Sequence, residues 1–200
     1  MSKFYWKASN IDNLTDARFF NALEDAWIEY VFDATEKRAV NVEQANNITE
    51  WLFEPHLLAS FGNHQTPDEI YSILKECGIQ YAAVSILHEL SKDQDFLPLA
   101  FLKVTTSDLE DILRMPVLPF AIIVKTESQF TDQQLNQIQN LLKKIKVFVQ
   151  LPSDIEGFKS QLAEFEEIGI EIPTEPEDSP GMGAVDVYDY LIESLIIDAL

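Results

Sequence analysis

Short apolar segments alternate along the chain with longer segments in which apolar residues recur at helical spacing. The short segments are almost continuously hydrophobic, a pattern typical of parallel strands that are buried on both faces. Eight such segments are present, at Phe4–Ser9, Trp27–Phe32, His56–Phe61, Tyr81–Leu87, Ala100–Thr105, Phe120–Lys125, Lys146–Leu151 and Gly169–Pro173. They predict eight strands.

The longer segments begin with sequences that favour helix starts. Thr66, Ser107, Thr131 and Ser153 each precede a Glu or Gln by three positions, which is the pattern of a capping box, and Asn41 begins a weaker version. In a capping box the first side chain accepts a hydrogen bond from a backbone N–H of the first turn, while the Glu or Gln reaches back. These sequences predict helices between the strands, and the last helix is predicted over residues 185–200.

Strand–helix units repeated about eight times predict a single (β/α)8 barrel, a TIM barrel, that spans residues 1–200 as one domain. The competing fold is a doubly wound open sheet, which normally has fewer strands, and no Gly-x-Gly-x-x-Gly follows the first strand. The acidic segment 174–180 is predicted to form a loop above the last strand. The fourth unit, residues 88–99, is poorly patterned, so its helix is expected to be short or absent.

Composition narrows the classes of partner. The chain has 34 acidic and 14 basic residues and a formal net charge of −20, which disfavours nucleic acid and anionic membranes as partners. No apolar run is long enough for a membrane span, and the first residues lack the apolar core of a signal peptide, so a cytoplasmic location is expected. The single cysteine, Cys77, excludes an internal disulfide and is interpreted as a small buried apolar residue.

Residues Lys7–Ala17 read Lys-Ala-Ser-Asn-Ile-Asp-Asn-Leu-Thr-Asp-Ala. This resembles the first strand and helix start of the phosphoribosylanthranilate isomerase family, where the pattern is roughly Lys-x-Cys-Gly-Ile-Thr-x-x-x-Asp-Ala. Further segments similar to that family follow in the same order, at Glu29–Phe32, Lys37–Ala45, Ala59–Asn63, Pro67–Ile70, Ser85–His88, Leu102–Val104 and Ser179–Gly181. The resemblance implies an isomerase-like TIM barrel related to tryptophan biosynthesis.

The resemblance also implies that the family's chemistry is lost. Ser9 occupies the position of the catalytic Cys, the family's base, and no carboxylate stands at Val124–Lys125, where the family has its acid. The Gly pairs that cradle the substrate phosphate are replaced by segments with Pro152 and with Pro173–Pro176. Proline removes a backbone N–H, and Glu175 adds negative charge, where an anion needs donors.

Polar residues at predicted strand ends are the candidates for a site, because active sites of these barrels lie there. We name Ser9 as the candidate catalytic residue and the following residues as candidates for ligand binding: Lys7, Arg38, His88, Lys103 and Lys125. In the family, the Arg at the position of Arg38 helps to hold the anthranilate carboxylate. Several cations at one barrel mouth predict a pocket for a small anion.

Each candidate also has a purely structural interpretation. Ser9 would need a neighbouring base to act as a nucleophile, and Ser9, His88 and Asp33 include the residue types of a triad. The lysines could supply a base or a Schiff-base amine, or could form salt bridges with Asp33 or Glu89. Arg38 could lie on a loop surface, and His88 could close the barrel top by hydrogen bonding. The three histidines are scattered, so the sequence predicts neither a metal site nor a cofactor.

Three functions remain open from the sequence. The first is a degenerate barrel, a pseudoenzyme that keeps a pocket for a small anion. The second is an active sugar-phosphate isomerase, and the third is a structural or partner-binding protein. The last helix carries many apolar residues, which predicts either a homodimer contact or a helix packed deeply against the barrel. These are Tyr188, Leu191, Ile192, Leu195, Ile196, Ile197 and Leu200.

Overall fold

The computed structural model describes residues 3–150, 155–174 and 185–197, and its strands form a closed parallel barrel. The strands neighbour one another in chain order, and the first pairs with the last. Their bounds are β1 (Lys3–Ser9), β2 (Trp27–Val31), β3 (His56–Ser60), β4 (Tyr81–Ser85), β5 (Ala100–Thr105), β6 (Ala121–Lys125), β7 (Lys146–Gln150) and β8 (Glu167–Pro173). The predicted TIM barrel is confirmed; the assignment of residues 1–200 to one domain stays a prediction.

Helices follow most strands in the described part of the chain. They are α1 (Leu14–Asn21), α2 (Val42–Thr49), α3 (Pro67–Cys77), α4 (Leu109–Arg114), α5 (Asp132–Leu142), α6 (Ile155–Leu162) and α7 (Val185–Ile197). As expected, the fourth unit has no α-helix, and two short 3-10 turns, Glu89–Lys92 and Leu97–Leu99, connect β4 to β5. Of the acidic segment, only Thr174 lies within the described residues.

Most of the predicted helix starts are correct. Thr66 and Thr131 form complete capping boxes, and the Asn41 side chain accepts from the N–H of Gln44. The box predicted at Ser107 is wrong: β5 continues to Thr105, so the chain turns there and the box pairs Thr105 with Asp108 before a 3-10 turn that leads into α4. The start predicted at Ser153 lies outside the described residues.

Aromatic side chains fill the lower half of the barrel. Trp27 on β2 lies 4.8 Å from Phe101 on β5, and Tyr5 on β1 lies 4.9 Å from Phe148 on β7, measured between ring centroids. These strands are not neighbours, so the rings meet across the interior. Gly169 on β8 makes room for them, since a Cβ there would come within 2.5 Å of both Tyr5 and Phe148.

A second apolar core separates the outer face of the sheet from the helices. Tyr188 of α7 packs 5.2 Å from the ring of Phe20 on α1, and Ile192 and Leu195 are buried beside it. Much of the apolar character of the last helix therefore serves packing against the barrel. No helix among the described residues is long and apolar enough to cross a membrane.

Candidate functional site at the carboxyl ends of the strands

A pocket of about 510 Å³, the mouth pocket, opens at the carboxyl ends of the strands. Its polar rim comes largely from the last residues of six strands, namely Ser9, Ser60, Ser85, Thr105, Lys125 and Gln150. A larger cavity of about 1040 Å³ lies at the amino ends of the strands. We place the candidate site at the mouth pocket, because barrels of this type carry their chemistry at the carboxyl ends and the larger cavity contains no predicted site residue.

Four charged residues form a layer across the barrel directly below the mouth pocket. This charged layer consists of Lys7, Glu29, Lys103 and Glu171, each located two residues before the end of its strand. The Lys7 ammonium is fully buried and donates to Glu29 Oε2 at 2.5 Å and to Glu171 Oε1 at 2.8 Å. Two positive and two negative charges balance, so the layer is neutral overall.

Lys103 joins the charged layer to the pocket. Its ammonium donates to Ser60 Oγ at 2.5 Å and lies 3.2 Å from Glu29 Oε1, and about 39% of its side chain is exposed. Burial alone would raise the pKa of Glu29, but the ammoniums of Lys103 and Lys7 outweigh it and lower that pKa to about 2. The same attraction outweighs burial at Lys7 and raises its pKa. Glu29 is therefore ionised at neutral pH.

Arg38 is buried and bound within the protein. Its Nε donates to Asp12 Oδ2 at 2.8 Å, its Nη2 also contacts Asp12, and its Nη1 donates to Thr174 Oγ1 at 2.7 Å. Thr174 in turn donates from its hydroxyl to the carbonyl of Ser9 at 2.8 Å. Nη2 also lies 3.5 Å from Asp16. Arg38 thus links the loops after β1, β2 and β8, and the interpretation as a surface residue is wrong.

His88 closes the end of β4 from the side. Its Nδ1 accepts from the N–H of Leu90 at 3.2 Å, so its Nε2 carries the proton and donates to the carbonyl of Gln65 at 2.9 Å. Both ring nitrogens are engaged and the side chain is buried, which agrees with the structural interpretation. Ser9 lines the mouth pocket while His88 does not, so the structure does not bring the triad residue types together.

Ser9 ends β1 at the rim of the pocket. Its side chain forms no hydrogen bond with any described residue, whereas its carbonyl accepts from Thr174. The next residue, Asn10, has φ 63°, the left-handed conformation that Gly adopts freely and that Asn tolerates better than most residues. The exchange of the family's Gly for Asn10 is therefore compatible with the same turn.

Lys125 is the last residue of β6 and lines the pocket with an exposed side chain. Val124 faces the helices and is fully buried, so Lys125 is the residue of the pair that occupies the inward position. No carboxylate among the described residues lies within ion-pair distance of its ammonium. Of the predicted cations, Lys125 is thus the one that the described contacts leave open to a ligand.

The pocket lining is more acidic than the sequence led us to expect. Outside the neutral charged layer, the lining has one ammonium, that of Lys125, and three carboxylates, those of Asp33, Glu36 and Asp108. Burial opposes ionisation of Asp33, but hydrogen bonds from the hydroxyl and N–H of Thr35 lower its pKa overall. A large polyanion would be repelled by this lining.

The predicted loss of the phosphate cradle can be compared with the structure in one of the two segments concerned. Pro173 ends β8 and has no N–H, and the N–H of Thr174 donates to the carbonyl of Ser9 at 3.1 Å. Neither residue offers an amide to an anion. Pro152, Glu175 and Pro176 lie outside the described residues.

Sequence reasoning identified the cations but missed their partners. Glu29 and Glu171 bind the lysines, rather than the predicted Asp33 and Glu89, and Asp12, Asp16 and Thr174 surround Arg38. A carboxylate within an otherwise apolar strand is the feature that could have revealed Glu29 and Glu171, because burial of an unpaired charge is costly. Among the described residues, no group of three or more His, Cys, Asp or Glu is arranged to hold a metal ion.

Solved structures with a similar fold include two phosphoribosylanthranilate isomerases. The enzyme from Thermus thermophilus is 15% identical over 98% of each chain, with a TM-score of 0.66. A monomeric form of the dimeric enzyme from Thermotoga maritima is 18% identical over all of this chain and 98% of the other, with a TM-score of 0.68. The predicted resemblance to this family is confirmed in the fold.

The likeness extends to a barrel with different chemistry. Orotidine 5′-monophosphate decarboxylase from Sulfolobus solfataricus is 10% identical over the whole of both chains, with a TM-score of 0.66. No protein-family model and no curated protein sequence matches the chain. Structural similarity at this level of identity establishes the fold, and the activity has to be argued from the site.

Proposed function

We propose that this protein is a phosphoribosylanthranilate isomerase-like barrel that no longer catalyses the parental isomerisation and that binds a small anion in the mouth pocket. The observation that carries the proposal is the environment of Arg38. Its guanidinium, which the family resemblance assigns to a substrate carboxylate, is occupied by Asp12 and Thr174. To bind a substrate there, the protein would have to break a fork of charge-assisted hydrogen bonds.

The base and the acid of the parental reaction are also replaced. Ser9 has a hydroxyl in place of a thiol, and the described contacts provide no base beside it. Lys125 puts an ammonium at the inward position where the family has a carboxyl group. General acid–base groups contribute roughly 10²–10⁴-fold each, so the loss of both removes most of the catalytic rate.

Lys125 is the group that supports retention of an anion site. Its ammonium is open to the pocket, and Lys103, partly exposed, lies on the neighbouring strand β5. The pocket volume of about 510 Å³ suits a small organic molecule. Three carboxylates of the lining, outside the neutral charged layer, weaken the attraction for multiply charged anions, so binding is expected to be modest and limited to small, singly charged groups. A cytoplasmic location and a possible homodimer remain predictions.

Complementation and a direct assay test the loss of activity. An isomerase-deficient tryptophan auxotroph should not grow when it expresses this chain or its Ser9→Cys variant, while an active family member restores growth. Ser9→Cys restores only the base, so purified variant protein should likewise give no turnover of phosphoribosylanthranilate. Growth or turnover with either protein would overturn the proposal and leave an active isomerase in its place.

Calorimetric titration tests the anion site separately. Acetate, anthranilate, phosphate and ribose 5-phosphate are titrated into the unmodified protein, into Lys125→Met and into Lys92→Met, an exposed lysine outside the pocket. Binding of at least one anion should weaken about tenfold or more in Lys125→Met and stay unchanged in Lys92→Met. If no anion binds, the pocket has no such role, and a structural or partner-binding function is the better explanation.

A further inference from the structure

We propose that the ligand of the mouth pocket is a small polyhydroxylated monocarboxylate of the sugar-acid class. This inference rests on the proposed function and specifies the anion that Lys125 binds. The carboxylate of the ligand meets Lys125, and its hydroxyls donate to Glu29 and hydrogen bond with the serines at the strand ends. The parental family's phosphate ester is thereby replaced by a ligand with no phosphate group.

The first observation is a buried carboxylate oxygen that lacks a hydrogen-bond donor. Glu29 is 1% exposed and forms part of the pocket floor. Its Oε2 accepts from Lys7, whereas its Oε1 meets only the ammonium of Lys103 at 3.2 Å and has no other donor among the described residues. A buried acceptor without a donor is costly, and a ligand that donates to it regains that free energy.

The charge around Glu29 Oε1 selects the kind of donor. A ligand ammonium would stand beside the ammonium of Lys103 and would be repelled. A hydroxyl group is neutral and donates equally well. Glu29 stays ionised because two lysines hold it, so it remains an acceptor throughout the neutral range.

The second observation is the row of hydroxyl groups at the rim. Strands β1, β3 and β4 end in Ser9, Ser60 and Ser85, and all three line the pocket. The Ser60 hydroxyl accepts from Lys103 and the Ser85 hydroxyl accepts from the N–H of Leu87. The hydroxyls of Ser60 and Ser85 can therefore still donate their own protons to a ligand. The Ser9 hydroxyl neither donates nor accepts among the described contacts, so it can do both with a ligand. Several hydroxyls in one small pocket are complementary to a polyol.

The third observation, which concerns the described residues, favours a carboxylate over a phosphate as the acidic group. A phosphate is bound by several backbone N–H groups or by clustered cations, and Pro173 and Thr174 offer no amide. Among the described residues of the lining, Lys125 provides the one ammonium without an ion-pair partner, which matches one negative charge. A doubly charged phosphate would face the excess of carboxylates in the lining without compensation.

A matched ligand series on the unmodified protein tests the inference without relying on a variant. Gluconate combines a carboxylate with hydroxyls, hexanoate has the same chain length and charge without hydroxyls, and sorbitol has the hydroxyls without the charge. By calorimetry, gluconate should bind about tenfold or more tightly than either hexanoate or sorbitol, and more tightly than ribose 5-phosphate.

Two variants then locate the contacts. Ser85→Ala should weaken gluconate about fivefold and leave hexanoate unchanged, while Lys125→Met should weaken both acids. Ser72→Ala, on an exposed part of α3, is the matched control. Equal affinity for gluconate and hexanoate would overturn the sugar-acid inference while leaving the anion site of the proposed function in place. Equal affinity for gluconate and sorbitol, or no binding of any of the three, would also overturn the sugar-acid inference, and the anion site of the proposed function would then be decided by the four anions of its own titration.

Discussion

Replacement of Lys7 by Met is the most direct test of the charged layer. Methionine keeps an apolar stem similar to that of lysine but removes the ammonium, which lies 2.5 Å from Glu29 and 2.8 Å from Glu171. Lys7 is fully buried and Glu29 is 1% exposed, so water cannot replace the lost contacts without reorganisation of the barrel. After the substitution, Glu29 keeps only the ammonium of Lys103, and Glu171 has no cation within ion-pair distance among the described residues.

The structure gives the size of the effect in two ways. Removal of one partner of a buried ion pair costs roughly 3–5 kcal/mol. The pKa of Glu29, about 2 in the fold against an ordinary 4.5, corresponds at about 1.4 kcal/mol per tenfold change in proton affinity to about 3 kcal/mol, which Lys103 and Lys7 supply together. We therefore expect Lys7→Met to lower the free energy of unfolding by roughly 3–4 kcal/mol at pH 7.

The effect should depend on pH with a defined sign. Because the pKa of Glu29 is lowered by folding, its contribution is present above pH 4.5 and is lost as the pH falls from 4.5 towards 2. In Lys7→Met one of the two ammoniums that lower the pKa of Glu29 is gone. Glu29 therefore takes up a proton at a higher pH in the folded variant than in the original protein, and this proton neutralises a buried charge. The difference in stability between the two proteins should therefore stay constant near pH 7 and shrink only as the pH falls from about 4.5 towards 2.

Urea unfolding followed by tryptophan fluorescence measures this difference, since urea is uncharged and does not screen ion pairs. Lys3→Met is the control, because Lys3 lies on the same strand but forms an exposed salt bridge with Asp25 and should change the urea midpoint little. Adding Glu171→Gln to Lys7→Met should recover part of the lost stability, because it removes a carboxylate without a partner. A cost below about 1 kcal/mol at pH 7, or a cost that does not vary with pH, would refute the proposed energetics of the layer.

Three further substitutions test other parts of the barrel by the same urea assay. Arg38→Gln should cost roughly 2 kcal/mol, less than a fully buried pair because the Asp12 side chain is 30% exposed. Gly169→Ala should cost roughly 1–3 kcal/mol, because its Cβ would overlap Tyr5. Tyr5→Phe should cost roughly 1–3 kcal/mol, because the hydroxyl both donates to and accepts from Val147 at 3.0 Å.

Each of these has an outcome that would count against it. If Arg38→Lys is as stable as the original protein, a single charge suffices and the forked contact with Asp12 is unimportant. Gly169→Ala without loss of stability would mean that the aromatic interior adjusts freely. For Tyr5→Phe, an unchanged midpoint would mean that Val147 finds other partners.

The barrel could be predicted from the sequence because the spacing of apolar residues reflects how each strand or helix is buried. Strands covered on both faces are continuously apolar, and the helix starts carry caps, so both could be located without knowledge of distant contacts. Strand ends were less accurate at the mouth: β4 ends at Ser85, yet Ile86 and Leu87 continue the apolar run because they line the pocket. At the other end, β8 begins at Glu167, before the predicted start, because Lys3 pairs with it in register.

Contacts in the site could not be predicted in the same way, because they join strands that are distant in the chain. Lys7 meets Glu171 across a separation of 164 residues, and Arg38 meets Thr174 across 136. The sequence placed the cations at the correct ends of their strands, but only the register of the closed sheet fixes which carboxylate stands beside each. Asp33 and Glu89 were predicted as partners of the lysines because both follow the end of a strand, where the lysines were also expected.

The sequence does contain the number of residues between each charged residue and the end of its strand. Lys7, Glu29, Lys103 and Glu171 all lie two residues before a strand end, so strands of known length would have aligned them in one layer. Replacing a buried ion pair by apolar residues of similar size is often neutral or stabilising. One layer below, aromatic rings fill the same interior without charges. Stability alone therefore does not explain three buried charges and a partly exposed fourth at this depth. Their physical consequence is a polar floor under the mouth pocket, and we propose that the ligand contacts this floor.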